Sequence, residues 1–230
     1  MLRFPHLNGE EPITFAQYKE AAKEGQKAIY YASGKTIESL KALPGIARFK
    51  KSGEDVLLFT EDLDEFTIQM MTEYEKLPFK NISTLDPEES SQEEKKKLED
   101  LKVAHKRILD DLTSALQGKV DEVGFSLTLE DNPVCIATRN GLSLQMENVI
   151  NESPEAKDNP DGQARAEKVL LLNPDHPLFK AVSQVTDEAE IGTIASVLYG
   201  EALLAEGFDI PNKAEFVKNL NAILGKAYSK

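Results

Sequence analysis

The stretch Asp55-Val56-Leu57-Leu58-Phe59 carries consecutive apolar residues from Val56 to Phe59. A short continuous apolar run of this kind is typical of a strand buried on both faces, as in parallel sheets. Upstream, Lys27-Ala28-Ile29-Tyr30-Tyr31-Ala32 is rich in aromatic and β-branched residues and predicts a second strand. Residues 78–82 are a candidate third strand. Helical segments separate these strands, so this part of the chain is predicted to be a small parallel α/β/α subdomain.

Three of those helical segments precede the central strand. Thr14-Phe15-Ala16-Gln17 has the pattern of a capping box, in which Thr14 caps the helix and Gln17 reaches back to it. Residues 36–43 and 44–51 predict two short helices.

A further helix is predicted after the central strand. Asp62 or Asp64 can cap it, and Phe66, Met70 and Tyr74 recur on one face at helical spacing. The acidic residues of its first turn are more simply explained by capping than by a metal or acid–base site.

The second part of the chain is predicted to be a mixed α+β domain with a short sheet. Residues 83–97 are polar and predict a solvated loop that enters a helix, whose apolar spacing continues to Leu116. Residues 122–129 and 133–137 predict two strands, which we expect to pair as an antiparallel hairpin because a turn-prone link joins them. A last strand is predicted over residues 168–172.

A short amphipathic helix is predicted over residues 142–150, followed by a polar stretch, residues 151–163, that we expect to be flexible. Met146, Val149 and Ile150 form its apolar side. Methionine is adaptable and suits surfaces that accept many partners. The alternative is that the helix docks on the local core, and the pattern alone does not decide between the two.

Two C-terminal helices give the strongest signal for association. The first spans residues 187–205 and the second opens at Pro211. Because the first is apolar on more than one side, it requires burial on several sides. Gly192 and Gly200 would permit close helix approach. A second copy of the chain could complete a four-helix bundle, although the helices could instead cover their own sheet. The predicted dimerisation residues are Ile191, Ile194, Leu198, Ala202, Phe216, Leu220, Ile223 and Leu224.

Composition excludes several classes of protein. The 230 residues include 27 Lys and Arg and 40 Asp and Glu, a formal net charge of -13. Such a chain repels nucleic-acid phosphates and anionic membrane surfaces, so we expect neither as a partner. Its single cysteine, Cys135, allows no intrachain disulfide. We see no signal-peptide pattern at the start and no run approaching the roughly 20 apolar residues of a membrane span, and expect a cytoplasmic protein.

Catalytic patterns are weak. His6, His105 and His176 have no second ligand at metal spacing, and no phosphate-binding glycine loop is found. A Cys135–His176 nucleophilic pair is a conceivable alternative, but a buried structural thiol and a turn histidine explain both residues. We therefore expect no catalytic residue, metal or cofactor in this chain.

Six segments of the chain occur in a characteristic order: Leu2-Arg3-Phe4, Gln26 to Tyr31, Asp55 to Phe59, Asp64-Glu65-Phe66, Asn173 to Pro177, and Leu198 to Leu204. In this order they resemble the ninety-kilodalton heat-shock chaperones, and the last segment is similar to that family's "LLYxxALL" helix. The pair "Gln-Lys-x-Ile-Tyr-Tyr" and "Asn-Pro-Asp-His-Pro" is fairly specific, and the likeness covers nearly the whole chain. The bacterial branch of the family fits best because no acidic tail with a tetratricopeptide-binding motif follows Lys230.

The resemblance implies two domains. Residues 1–100 are expected to be the C-terminal part of the chaperone's middle domain, and residues 101–230 its C-terminal dimerisation domain. In the family, ATP and magnesium bind in an N-terminal domain, and an arginine and a glutamine of the earlier middle domain assist hydrolysis. We therefore expect this chain to lack ATPase activity and Met1 not to be the start of the natural protein.

The resemblance also implies a client-binding surface. By position, it would include Phe66, Gln69 and Met70 on one helix and the apolar side of the 142–150 helix, with Met146, Val149 and Ile150. Bacterial members usually have Trp where this chain has Phe66, so an indole hydrogen bond is not available here. The expected function is a homodimeric chaperone portion that holds partly unfolded clients in the dimer cleft. The alternatives are a small cysteine-dependent enzyme and a dimerisation adaptor for one specific partner.

Overall fold

The computed structural model describes residues 2–85, 90–139, 141–158 and 162–228. The elements, in chain order, are α1 (Phe15–Ala21), β1 (Ile29–Ser33), α2 (Ile37–Lys41), α3 (Ile46–Ser52), β2 (Leu57–Phe59), α4 (Asp62–Met71), β3 (Glu73–Tyr74), β4 (Leu77–Asn81), α5 (Gln92–Ala104), α6 (Lys106–Ala115), β5 (Glu122–Phe125), β6 (Val134–Arg139), α7 (Leu144–Glu152), α8 (Pro154–Asp158), β7 (Glu167–Leu172), α9 (Pro177–Val182), α10 (Glu188–Ala205) and α11 (Lys213–Tyr228). The mixed α/β class is confirmed.

The chain divides into two compact units. The first unit comprises Met1–Leu85 and Thr138–Ala166, and the second comprises Asp86–Ala137 and Glu167–Lys230. These units are defined by packing. The division at residue 100 into middle and C-terminal domains rests on the resemblance and stays a prediction.

The first unit is built on a sheet with the strand order β2-β1-β4-β3. β1 pairs in parallel with β2, with Tyr31 opposite Leu57, and in parallel with β4, with Tyr30 opposite Lys80. β3 adds an antiparallel edge. The three predicted strands are therefore found, and so is the Thr14–Gln17 capping box before α1.

Alternation along β1 explains why helices cover both faces of this sheet. Tyr30 and Ala32 point to a core shared with Leu40 of α2 and Phe49 of α3. Ile29 and Tyr31 point to the opposite core, which contains Tyr18 of α1 and Ile68 of α4. Because successive strand residues face opposite sides, a continuous apolar run needs cover on both.

The second unit contains a sheet with the strand order β5-β7-β6, so the predicted β5–β6 hairpin is wrong. β5 pairs in parallel with β7, with Val123 opposite Leu170. β7 lies at the centre of the sheet, and its residues from Val169 to Leu172 are buried, as is typical of a strand with neighbours on both sides. The side-chain amide of Asn173 donates to the carbonyl oxygens of Glu130 (2.6 Å) and Asn132 (3.1 Å), which ties the link after β5 to the end of β7.

The single helix predicted to run to Leu116 is two helices. α5 ends and α6 begins at His105, whose backbone leaves the helical region at φ -115° and ψ 20°. The His105 ring meets Phe125 and Phe179 edge to face, at centroid distances of 5.8 and 5.0 Å. Side-chain packing thus interrupts a spacing that looks continuous in the sequence. A capping box of Ser91 and Glu94 opens α5, which the sequence analysis did not identify.

The two predicted polar segments are only partly described. In residues 83–97, positions 86–89 lie outside the described residues, and α5 begins within the segment. In residues 151–163, expected to be flexible, Pro154–Asp158 forms α8, and positions 159–161 lie outside the described residues.

Candidate functional site

α4 and α7 of the first unit enclose an open groove of about 230 Å³, a volume that includes space open to solvent. Phe66 of α4 and Met146 and Val149 of α7 line it together, with Phe59 from the end of β2. Three of the six residues expected on a client-binding surface therefore lie around one apolar groove. The remaining lining residues are Ser33, Gly34, Glu61, Asp62, Glu65 and Gln145.

The other three expected residues are placed differently. Met70 is 87% exposed on α4, and Gln69 is exposed and donates from its amide to the Gly141 carbonyl oxygen at 3.2 Å. Ile150 is half-buried on α7. None of the three belongs to the described lining of the groove, although all lie on the two helices that form it.

The buried face of α4 differs from the predicted one. Glu65 and Ile68 are its buried residues, whereas the predicted face carried Phe66, Met70 and Tyr74. The N-cap is Glu61, which makes no side-chain capping bond, so capping by Asp62 or Asp64 is also wrong. Because the sheet takes the Glu65 face, Phe66 is left on the flank of the helix and can line the groove.

α7 is held by its own N-terminus and by its neighbours. The Ser143 hydroxyl accepts the Met146 N–H at 3.1 Å and caps the helix. The side-chain amide of Gln145 donates to Asp62 at 3.2 Å. Also in the first turn, Glu147 accepts the Ala166 N–H at 2.6 Å. The apolar side of α7 thus faces α4, and the polar residues Gln145 and Glu147 beside it are hydrogen-bonded.

Glu65 is the residue of this region that the sequence analysis missed. The residue is 2% exposed, and its carboxylate accepts from Asn81 Nδ2 at 2.8 Å, from the Tyr31 hydroxyl at 3.3 Å and from the Ser143 hydroxyl at 3.0 Å. Burial raises the pKa of the Glu65 carboxyl, and the hydrogen bonds oppose that rise. The available signal was its spacing of three from Ile68, which places both on one helix face.

The predicted dimerisation residues of α10 are covered within the second unit. Ile191, Leu198 and Ala202 are at most 3% exposed, and Ile194 is 9% exposed. One of the two glycines fits the close-approach prediction: a Cβ at Gly200 would lie 2.4 Å from the Phe216 ring of α11, whereas one at Gly192 would meet open space among the described atoms.

α11 is different, since every residue of this fully described helix is at least partly exposed. Phe216, Leu220 and Ile223 are half-buried. Val217, Leu224 and Tyr228 recur at steps of seven and four and are 51%, 46% and 84% exposed. We call these three the α11 stripe. The open apolar surface of the predicted dimer contact therefore lies on α11.

The cysteine and histidine of the enzyme alternative have structural surroundings. Cys135 is buried in β6, and burial raises the pKa of its thiol well above the ordinary value, which disfavours the reactive thiolate. The His176 Nδ1 accepts the Leu178 N–H at 3.1 Å and caps α9. Within the described residues there is no group of three or more His, Cys, Asp or Glu that could hold a metal ion. In the same residues, no helix is long and apolar enough to cross a membrane.

Comparison with known proteins decides the family. The family model described as Hsp90 protein matches residues 1–230. The chain belongs to the Hsp90 protein family. Among its relatives, "Chaperone protein HtpG" of Bacillus velezensis is 34% identical over 226 residues, and that of Clostridium acetobutylicum is 33% identical over 228. The HtpG of Bacillus subtilis is 30% identical over 226 residues.

These alignments cover 97% of this chain but only 35% of each of the three relatives. The chain thus spans about a third of the length of the Hsp90 chaperones that it matches. The predicted membership of the heat-shock chaperone family is confirmed.

Proposed function

We propose that this chain is the C-terminal portion of an ATP-dependent cytoplasmic chaperone. It forms a homodimer through α11 and the exposed Leu204 side of α10. It binds partly unfolded client proteins at the α4–α7 groove. The observation that carries the proposal is the α11 stripe, an apolar row on a helix in which every residue keeps some exposure. Family membership supports the chaperone role.

Uncovered apolar area on α11 favours dimerisation. Burial of such area is favourable by about 25 cal/mol per Å², so a row of Val217, Leu224 and Tyr228 gains from association. Leu204 of α10 adds another side chain that is 54% exposed. A two-fold axis brings the same patch of each copy together and closes the assembly. The buried α10 residues would then lie beneath the interface, inside each subunit.

A matched pair of variants tests the dimer. Leu224→Asp puts a charge in the α11 stripe, whereas Ala222→Asp puts the same charge on the opposite, exposed side of α11. Sedimentation equilibrium should show dimerisation weakened by tenfold or more for Leu224→Asp, on the scale of about 2 kcal/mol for a buried Leu. Equal effects of both variants, or a monomeric parent chain at high micromolar concentration, would contradict the proposal.

The α4–α7 groove offers a binding site for clients. Phe66 and Val149 are half-buried and offer partly open apolar surface in the groove, beside Met146, which is 6% exposed. Methionine adapts to differently shaped partners, which suits binding without sequence specificity. A dimer doubles the sites, so weak contacts gain avidity. In this portion alone, binding would be passive holding without an ATP-driven step.

The combined change Phe66→Ser and Val149→Ser tests the groove. It should weaken binding of a reduced, carboxymethylated protein that cannot refold, while dimerisation stays unchanged. Val103→Ser is the control, because Val103 is 70% exposed on α5 and lies outside the groove lining. Fluorescence anisotropy of the labelled client measures binding. Unchanged affinity in the double variant would remove the groove from the proposal.

We infer that nucleotide chemistry belongs to other parts of the natural protein. Calorimetric titration of this chain with ATP and magnesium should give no binding heat. Measurable binding at micromolar ATP would contradict this part of the proposal.

A further inference from the structure

Glu65 joins the α4 helix to the N-terminus of α7 through a buried hydrogen-bond relay. One carboxylate oxygen, Oε1, accepts from Tyr31 of β1 and Asn81 of β4, which fixes the side chain to the sheet. The other, Oε2, accepts the Ser143 hydroxyl hydrogen at 3.0 Å. The Ser143 oxygen in turn accepts the Met146 N–H at 3.1 Å. A buried carboxylate thus holds the capping residue of the helix that carries Met146 and Val149.

Both oxygens of Glu65 accept hydrogen bonds in this relay, which a carboxylate can do and a side-chain amide cannot. A serine hydroxyl has one hydrogen to donate, and that hydrogen goes to Glu65, so its lone pair is directed to the Met146 N–H. Hydrogen bonds to an ionised group are roughly twice as strong as neutral ones. Ordinary N-caps, such as Ser91 on α5, have a hydroxyl on the surface instead.

We propose that Glu65 is the positioning residue of the α4–α7 groove, acting through Ser143 to fix the start of α7 and so the placement of its apolar side chains against α4. This inference rests on the proposed client-binding function of the groove. Glu65 itself is 2% exposed and would not touch the client.

Hydrogen exchange of the α7 amides tests the relay without any client. Ser143→Ala removes both the cap and the donor to Glu65, and should speed opening of α7 by about tenfold, the usual size of a lost cap. Ser143→Thr keeps a hydroxyl and should restore protection. Glu65→Gln should accelerate α7 exchange by less than Ser143→Ala does. Its amide N–H group would face the Ser143 hydroxyl hydrogen, which needs an acceptor. Exchange in α1 and β1, which belong to the same unit as α7, serves as the check that each variant is folded.

A double-mutant cycle separates the relay from ordinary capping. In the Ser143→Ala background, Glu65→Gln should add little to α7 opening, because the bond it disturbs is already gone. Ser91→Ala is the matched control: it removes the same kind of cap from α5 and should leave α7 exchange and client affinity unchanged. Additive effects of the two changes, or unaltered α7 exchange in Ser143→Ala, overturn the inference.

Client affinity then links positioning to function. Ser143→Ala and Glu65→Gln should weaken client binding in the same order as they open α7, and Ser143→Thr should restore it. If α7 opens faster while affinity stays constant, yet Phe66→Ser with Val149→Ser weakens binding, the positioning role is overturned and the groove stands. If the groove variant also binds normally, the proposed function fails as well.

Discussion

α10 and α11 are neighbouring helices that both carry apolar residues at helical spacing, but only α10 is buried. Seven α10 residues, including Ile191, Ala195 and Leu198, are buried by the second unit, whereas every α11 residue keeps some exposure. The pattern predicted one joint dimer face. The difference teaches that periodicity tells which side of a helix is covered, but not whether the chain itself or a second copy covers it.

The sharpest test of this contrast places the same charge on each helix. Leu198→Asp should destabilise the second unit by about 4 kcal/mol or more, because an aspartate at a 3% exposed position leaves an unpaired buried charge. Leu224→Asp should leave monomer stability nearly unchanged, since Leu224 is 46% exposed. Urea unfolding monitored by circular dichroism under monomeric conditions measures both. A mild Leu198→Asp phenotype would mean that α10 is not a core helix.

A second test uses the two α10 glycines. Gly200→Ala should cost about 1–3 kcal/mol and loosen α11, because the new methyl would sit 2.4 Å from the Phe216 ring. Gly192→Ala meets open space among the described atoms and should stabilise the helix by about 0.5–1 kcal/mol. Thermal unfolding of both variants checks the opposite signs. Two stabilising changes would show that α10 and α11 do not pack closely.

A third test uses the titration of Glu201 on α10. Partial burial raises the pKa of Glu201 above its ordinary 4.5, and the charge of His176 opposes the rise. The folded state therefore holds this proton more tightly than the unfolded state, and stability falls as pH rises from 4.5 through the folded pKa. The difference in unfolding free energy between the parent and Glu201→Gln should decrease over that window. An unchanged difference from pH 4 to pH 7 would place Glu201 in solvent.

The smallest expected effect concerns the ion pair between the two helices. Lys226 Nζ of α11 lies 2.7 Å from Glu190 of α10, and the lysine side chain is 67% exposed. Lys226→Ala should cost less than about 1 kcal/mol and should lose that effect in high salt. Unfolding in low and high sodium chloride checks this. A larger, salt-insensitive loss would assign the lysine stem a packing role.

Local signals in the sequence predicted much of the first unit. The capping box at Thr14 and Gln17 depends on residues three apart, and the strand around Leu57 depends on a contiguous apolar run. Both are decided within a few residues, so both are confirmed. The α7 helix was also predicted, but its Ser143 cap and its relay to Glu65 were not.

The errors share a non-local cause. The predicted β5–β6 hairpin is wrong because β7, which begins 28 positions after the end of β6, lies between the two strands. The helix before Leu116 is broken at His105 by packing against Phe125 and Phe179. Similarly, α4 turns Glu65 inward because Asn81 and Ser143 offer hydrogen bonds that the local sequence does not contain.

The sequence alone determined the α/β class, most of the elements, the family resemblance and three residues of the apolar groove: Phe66, Met146 and Val149. Tertiary structure decided the strand order, the burial of α10, the openness of α11 and the inward turn of Glu65. The reason is physical: caps and amphipathic spacing arise between residues a turn or a strand apart, whereas burial depends on which distant side chains arrive to exclude water.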